Sequence, residues 1–130
     1  MYKKENPLLD KSLKFSARIV KLHKYLLREK HESIISKQII RSATSIGANA
    51  NEAIYGQSKA DFLAKLHISL KETAETEYWL RLLVLSDYIT ETEGKSLIDD
   101  CPLFRVCSRT RLKALTNTQF LQFLLMIYVI

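Results

Sequence analysis

Hydrophobic residues recur along this chain at intervals of three and four positions, the spacing that brings them onto one face of an α-helix. In the first such stretch they are Phe15, Ile19, Leu22 and Leu26. Three further stretches repeat the pattern, and none of them alternates with the period of two that is typical of a strand. The pattern predicts helices at about 7–29, 34–55, 59–88 and 92–115.

Candidate capping residues mark the starts of these helices. Asn6 can cap the first, and Pro7 suits its first position because the missing N–H would have no helical partner there. The candidate N-caps of the next three helices are Ser33, Ser58 and Thr90. The last two precede an acidic residue by three positions, as in a capping box. Pro102 lies inside the fourth stretch and should kink or interrupt it.

Short links between the four stretches make sequence neighbours antiparallel. The sequence therefore predicts an all-α, antiparallel up-down-up-down four-helix bundle in residues 1–115, followed by an apolar tail at 116–130. The apolar run of this tail, Phe120 to Ile130, has about half the length of a membrane span. Two interpretations are open: the segment is buried in an oligomer or disordered, or it contacts a membrane. We expect no membrane partner.

The two cysteines, Cys101 and Cys107, are too few and too oddly spaced for a disulfide framework or a zinc site. No signal peptide is recognisable at the N-terminus, so the expected location is the cytoplasm. The sequence contains none of the phosphate-binding, nucleophile or zinc-protease motifs that would indicate a reaction. We expect no enzyme activity, no catalytic residues, no metal and no cofactor.

Positive charge is concentrated near the N-terminus. The net charge is +6, and residues 1–30 contain nine Lys and Arg against three acidic residues. Six of these cations are predicted to lie on the face of the first helix opposite its apolar stripe: Lys11, Lys14, Arg18, Lys21, Lys24 and Arg28. Such a row can follow a nucleic-acid backbone. The alternative is an ordinary solvated face, since Tyr25 is the one aromatic residue close by.

Three acidic residues on the third helix, Glu72, Glu75 and Glu77, could serve as general acids and bases or as metal ligands. A ferritin-like centre would need Glu-x-x-His, and no histidine follows a glutamate at that spacing. We expect Glu72 and Glu75 to form structural ion pairs instead, with Lys71 and Arg81 on the same helix or with Arg41 across helices.

The middle of the second helix is rich in small residues, and a glycine there costs about 1 kcal/mol relative to alanine. Close approach of a neighbouring helix at Gly47 and Ala50 would offset that cost. Asn49 and Glu52, three positions apart beside this apolar seam, are expected to fix register or oligomer state. The third helix is apolar on more than one face, which predicts self-association.

Two segments resemble a known family: Arg41-Ser-x-x-Ser45-Ile-Gly-Ala-Asn49-x-x-Glu52 and Glu75-Thr-Glu-Tyr-Trp-Leu80. They are similar to the 23S rRNA intervening-sequence proteins, also called four-helix-bundle proteins, over about residues 6–101. The resemblance implies a bacterial bundle that forms a ring-like homopentamer. It also implies a relationship to accessory proteins of diversity-generating retroelements, which bind nucleic acid and a reverse transcriptase.

We assign a helix-packing or assembly role to a set of residues within and beside these segments: Arg41, Ser45, Gly47, Asn49, Glu52, Glu75, Tyr78 and Trp79. After Asp100-Cys101 the chain departs from the family pattern. Two functions are consistent with the sequence. One is a non-enzymatic oligomer that binds RNA or DNA through its basic first helix, and the other is a structural or protein-interaction scaffold without a nucleic-acid role.

Overall fold

The computed structural model describes residues 6–112, with side chains to residue 108. Within this range the chain is entirely helical outside its turns, which confirms the all-α prediction. The predicted tail at 116–130 lies outside the described residues. The helices are α1 (Pro7–Arg28), α2 (Ile34–Ile54), α3 (Lys59–Leu85), α4 (Glu91–Asp100) and α5 (Phe104–Leu112).

Contacts at two heights show that α2 runs antiparallel to α1 and to α3. On α1, Ser12 lies against Gly47 of α2, and His23, further along α1, is hydrogen-bonded to Ser36 near the start of α2. On the α2–α3 side, Thr76 donates a hydrogen bond to Ser42 over 2.9 Å. The Sγ of Cys107, on α5, lies 3.8 Å from the Leu70 carbonyl of α3.

Side-chain caps begin three of the helices as the sequence predicts. Asn6 accepts a hydrogen bond from the Leu8 N–H over 3.0 Å, with Pro7 in the first turn. Ser58 and Thr90 each accept from the N–H three residues later over 3.1 Å. These bonds satisfy N–H groups that have no partner within the helix.

The start of α2 differs from the prediction. Ser33 is the N-cap residue, but its side chain makes no capping hydrogen bond. Instead the buried carboxylate of Glu32 accepts from the N–H groups of Ile34, Ile35 and Ser36 over 2.8–2.9 Å. A carboxylate at this position also interacts favourably with the positive end of the helix dipole.

The predicted fourth helix is divided into α4 and α5. The interruption at residues 101–103 includes Pro102, which lacks the N–H that a continuous helix requires. The third helix ends at Leu85, three residues before the predicted end, and Asp87 beyond it has a left-handed φ of 63°. That conformation cannot continue a right-handed helix.

A single apolar core joins the elements. Its largest fully buried side chains come from every helix but α4, and they include Phe15, Ile19, Ile39, Leu80 and Val106. Between α2 and α3 the buried contacts are small and hydroxylated, and Ser69 donates to the Ile46 carbonyl over 2.9 Å. Small side chains allow these two helices to approach closely and so fix the relative position of their outer faces.

Candidate nucleic-acid interface

The solvent face of α1 carries a row of cations. Lys14, Lys21 and Arg28 are all exposed, and they are spaced seven positions apart. Seven residues are about two turns, or about 10 Å along the helix axis. The opposite face, with Phe15, is buried in the core. Amphipathic packing of α1 is therefore what holds the row towards solvent.

Lys24 lies between Lys21 and Arg28 and is also exposed. Within the described side chains, none of these three cations forms an ion pair. Lys14 pairs with Asp10 one turn earlier over 3.1 Å, but its side chain remains 75% exposed. Exposed ion pairs of this kind contribute only about tenths of a kcal/mol to the free energy of unfolding. Lys14 therefore keeps most of its capacity to contact an anion.

Arg18 does not follow the prediction of a cation opposite the core. Its guanidinium points to α4, where it donates to the Ser96 carbonyl over 3.3 Å, to the Ser96 hydroxyl over 3.1 Å and to the Asp100 carboxylate over 3.2 Å. The reason is its angular position, at the edge of the buried stripe and facing the neighbouring helix. Arg18 thus joins α1 to α4.

The surface of α4 next to this contact is acidic. The helix contains Glu91, Glu93, Asp99 and Asp100 against a single cation, Lys95. An open groove of about 430 Å³ between α1 and α4 is lined by Arg18, Thr92, Lys95, Ser96, Asp99 and Asp100. Its mixed charges do not favour a phosphate, so the cationic surface of α1 does not extend into this groove.

The one aromatic residue on this face is Tyr25, which is partly exposed. The ammonium of Lys30 lies over its ring, 6.0 Å from the centroid. A single aromatic ring offers at most one stacking platform for a base. The face is therefore suited to contact with the phosphate backbone.

Glu72 and Glu75 of α3 form structural ion pairs, as predicted. Arg41 of α2 pairs with Glu72 over 3.4 Å and also with Glu75. Arg81 pairs with Glu77 on the same helix over 2.9 Å. The Arg41 pairs hold α2 and α3 together at the surface.

The predicted assembly residues on α2 make separate contacts. Asn49 donates to the Ser45 carbonyl over 2.8 Å, whereas Glu52 pairs with Lys65 of α3 over 2.6 Å. Ser45 donates to the carbonyl of Arg41. Asn49 and Glu52 therefore act on different partners.

Two aromatic residues of the predicted assembly set lie next to each other on α3. Tyr78 and Trp79 make an edge-to-face contact with ring centroids 5.0 Å apart. Trp79 packs against the core and Tyr78 faces solvent. Tyr78 is thus available on the outer surface of α3.

The two cysteines lie in the core. Both are buried, and burial is the main cause that raises the pKa of the Cys101 thiol to about 12. A thiol that keeps its proton is a poor nucleophile and a poor metal ligand. Among the described residues no cluster of His, Cys, Asp and Glu could hold a metal ion, and no described helix is long and apolar enough to cross a membrane.

Comparison with known proteins identifies the family. The family model described as the 23S rRNA-intervening sequence protein matches residues 4–105. The chain belongs to the 23S rRNA-intervening sequence protein family. A crystal structure of a protein of unknown function from the S23 ribosomal protein family of Bacteroides thetaiotaomicron is 50% identical, with a TM-score of 0.74. The similarity covers 77% of this chain and 94% of that one.

The family match confirms the resemblance indicated by the α2 and α3 segments. Among proteins with curated functions, none matches the chain. Within the match, sequence reasoning missed the partners of Arg18 and the Glu32 cap. The signal for the cap was an acidic residue just before the first turn of α2. The sequence around Arg18 gives no sign that its partners are Ser96 and Asp100, which lie 78 and 82 residues away.

Proposed function

We propose that this member of the 23S rRNA-intervening sequence protein family binds the backbone of RNA or DNA without reading its sequence. The binding surface is the solvent face of α1, and the protein acts as a non-enzymatic homo-oligomer, a pentamer by family resemblance. The observation that carries the proposal is the exposed row of Lys14, Lys21 and Arg28. Each contact between such a cation and a phosphate releases condensed counterions, so binding is strong at low salt and weak at high salt.

The charge layout supports an approach along α1. Phosphates that moved towards α4 would meet Glu93, Asp99 and Asp100, and like charges repel them. A strand is thereby directed along α1.

A scaffold without a nucleic-acid role is the second candidate. It is favoured by the contact of Arg18 with Ser96 and Asp100, which shows that part of the basic stripe serves helix packing. Only the cations that remain on the solvent face distinguish the two functions. The experiment therefore has to change those cations and leave Arg18 intact.

The test compares two triple variants that remove equal charge. In the first, Lys14, Lys21 and Arg28 are replaced by Gln. In the control, Gln replaces three exposed cations away from α1: Lys37, Lys59 and Arg105. Retention of RNA and of DNA is measured across a salt series, with helicity and oligomer size checked by circular dichroism and sedimentation.

The first variant should weaken binding to both polymers and lower the slope of log affinity against log salt by about 0.7–0.9 for each phosphate that is no longer neutralised. The control variant should weaken binding much less, because its cations do not line one surface. Equal weakening in the two variants would mean that only net charge matters. Unchanged affinity and slope in the α1 variant would reject the binding surface and favour the scaffold.

A further inference from the structure

The outward face of α3 has the pattern of a second packing surface. Positions spaced by four and three residues form what we name the outer α3 seam: Ala64, Ile68, Lys71, Glu75, Tyr78, Leu82 and Leu85. This is the heptad spacing of a helix that packs lengthwise on another helix. Tyr78 is 60% exposed and Leu85 is 82% exposed, although the opposite side of α3 is already buried in the core. Nothing among the described residues covers them.

A comparable seam runs along α1, beside the basic row. The outer α1 seam consists of Leu13, Ala17, Val20, Lys24 and Leu27 and has the same spacing. Leu13 is 57% exposed, and Leu27 is also exposed. The stem of a lysine can lie along an apolar contact while its ammonium stays in water, so Lys24 is compatible with the seam.

The two seams lie at opposite corners of the bundle. Helix α1 packs on α2 and α4, and α3 packs on α2, α4 and α5, so α1 and α3 are diagonal. Their outward faces therefore point in different directions. Two unlike surfaces on one subunit are what a head-to-tail ring requires, whereas a two-fold dimer needs only one surface.

The seams also match in height along the bundle. At one end, Ser12 is level with Gly47 and Ser69 is bonded to Ile46, which places Leu13 level with Ser69, one residue from Ile68. At the other end, His23 is bonded to Ser36 and Ser42 to Thr76. Ser36 lies six positions before Ser42 on α2, and Leu82 lies six positions after Thr76 on the antiparallel α3. His23, which is bonded to Ser36, is therefore level with Leu82.

It follows that Val20 is level with Trp79, one residue from Tyr78, and that Leu27, four residues after His23, is level with Ser86, one residue from Leu85. Copies related by rotation about an axis parallel to the helices have no shift along that axis. Their apolar groups meet only when the two seams carry them at nearly the same heights, and these seams do so at three levels to within one residue, or about 1.5 Å.

We propose that the outer α1 seam of one copy packs, in parallel, against the outer α3 seam of the next copy, with Leu13, Val20 and Leu27 facing Ile68, Tyr78 and Leu85. The partner is a second copy of this chain. The inference rests on the self-association in the proposed function and names its surfaces. Lys14 and Lys21 remain at the edge of the contact, so the basic row stays open to nucleic acid.

The test uses one disrupting substitution in each seam. Leu13→Glu and Leu85→Glu place a charge at exposed positions, so the monomer fold should tolerate both. Tyr55→Glu is the matched control, because Tyr55 is 79% exposed and belongs to neither seam. A charge buried without a partner in the contact should raise its dissociation constant by at least about 100-fold. The masses of each variant and of an equimolar mixture are measured by sedimentation velocity.

We expect the parent and Tyr55→Glu to assemble, and Leu13→Glu and Leu85→Glu to be monomers. Mixed together, the last two should form a heterodimer, since one keeps an intact α3 seam and the other an intact α1 seam. A mixture that stays monomeric, or a Leu13→Glu variant that still associates while Leu85→Glu does not, would overturn the proposal; the second result would indicate a two-fold α3 contact.

The outcomes also separate this inference from the proposed function. A monomeric parent overturns the proposed self-association and this contact together. If the parent assembles and neither seam variant changes its mass, only the contact is wrong. If the parent assembles but retains no RNA or DNA, only the binding proposal falls, and the masses of the mixed variants still decide the contact.

Discussion

At the scale of single residues, the closest approach between α1 and α2 depends on Gly47. A Cβ added at this position would lie 2.9 Å from the Cβ of Ser12, too close for an ordinary contact. Ala50, one turn further on, is fully buried. The small residues of α2 thus allow the backbone of α1 to come near, which offsets the low helix propensity of glycine.

Gly47→Leu should therefore destabilise the protein by about 1–3 kcal/mol, because the side chain has to displace Ser12 or separate the helices. Denaturant unfolding monitored by circular dichroism measures the change. Ala48→Leu, at an exposed neighbouring position, is the control and should have little effect. Equal stability of the two variants would mean that Ser12 can move aside without lowering the free energy of unfolding.

The Cys101 thiol makes stability depend on alkaline pH. Burial raises its pKa from 9.0 to about 12, so the native state keeps a proton that the unfolded chain releases between those values. The unfolded state then binds fewer protons, and stability falls as pH rises through this window. The excess stability of the parent over Cys101→Ala should shrink by up to about 1.4 kcal/mol per pH unit above pH 9. Denaturant titrations at several pH values measure the free energy of unfolding of both proteins. A difference between them that does not change with pH would contradict the prediction.

At the scale of elements, the helices follow from the sequence because their signals are local. Apolar spacing depends on residues three or four apart, and the Asn6, Ser58 and Thr90 caps act within one turn. Pro102 likewise indicates the interruption between α4 and α5. The Glu32 cap was missed because its carboxylate turns back onto α2 only after the preceding link adopts its folded path, with His31 at a φ of 53°.

The start of α2 provides a direct test. Glu32→Ala removes three hydrogen bonds to N–H groups and a favourable charge at the helix end, and it should destabilise by about 1–2 kcal/mol. Ser33→Ala should change stability little, because that side chain makes no capping bond. Urea unfolding of both variants compares them, and a larger destabilisation by Ser33→Ala would show that the cap is assigned to the wrong residue.

At the scale of the whole molecule, the sequence predicts which residues are charged but not which of them remain accessible. The six cations of α1 share one helix, yet Arg18 is taken up by α4 because its edge of the helix faces Asp100. That outcome depends on the relative placement of α1 and α4, which no local pattern specifies. Motifs and periodicity were enough to predict the family and the fold, whereas they could not predict which cations of α1 remain accessible to solvent.

The proposed assembly and the proposed binding surface together predict an effect of polymer length. A ring repeats the α1 row, so a long strand that contacts several subunits gains affinity through effective concentration without any new kind of contact. Leu85→Glu should break the assembly while leaving α1 unchanged, since Leu85 lies on the outer face of α3. Its affinity for a long RNA or DNA should therefore fall by about 100-fold or more, whereas its affinity for an oligonucleotide that reaches one subunit should match that of the parent.

Fluorescence anisotropy with polymers of the two lengths measures both affinities, and the control variant Tyr55→Glu should behave as the parent does. Weaker binding of the short oligonucleotide as well would place the effect within the subunit, and equal affinity for the long polymer would show that the subunits bind independently.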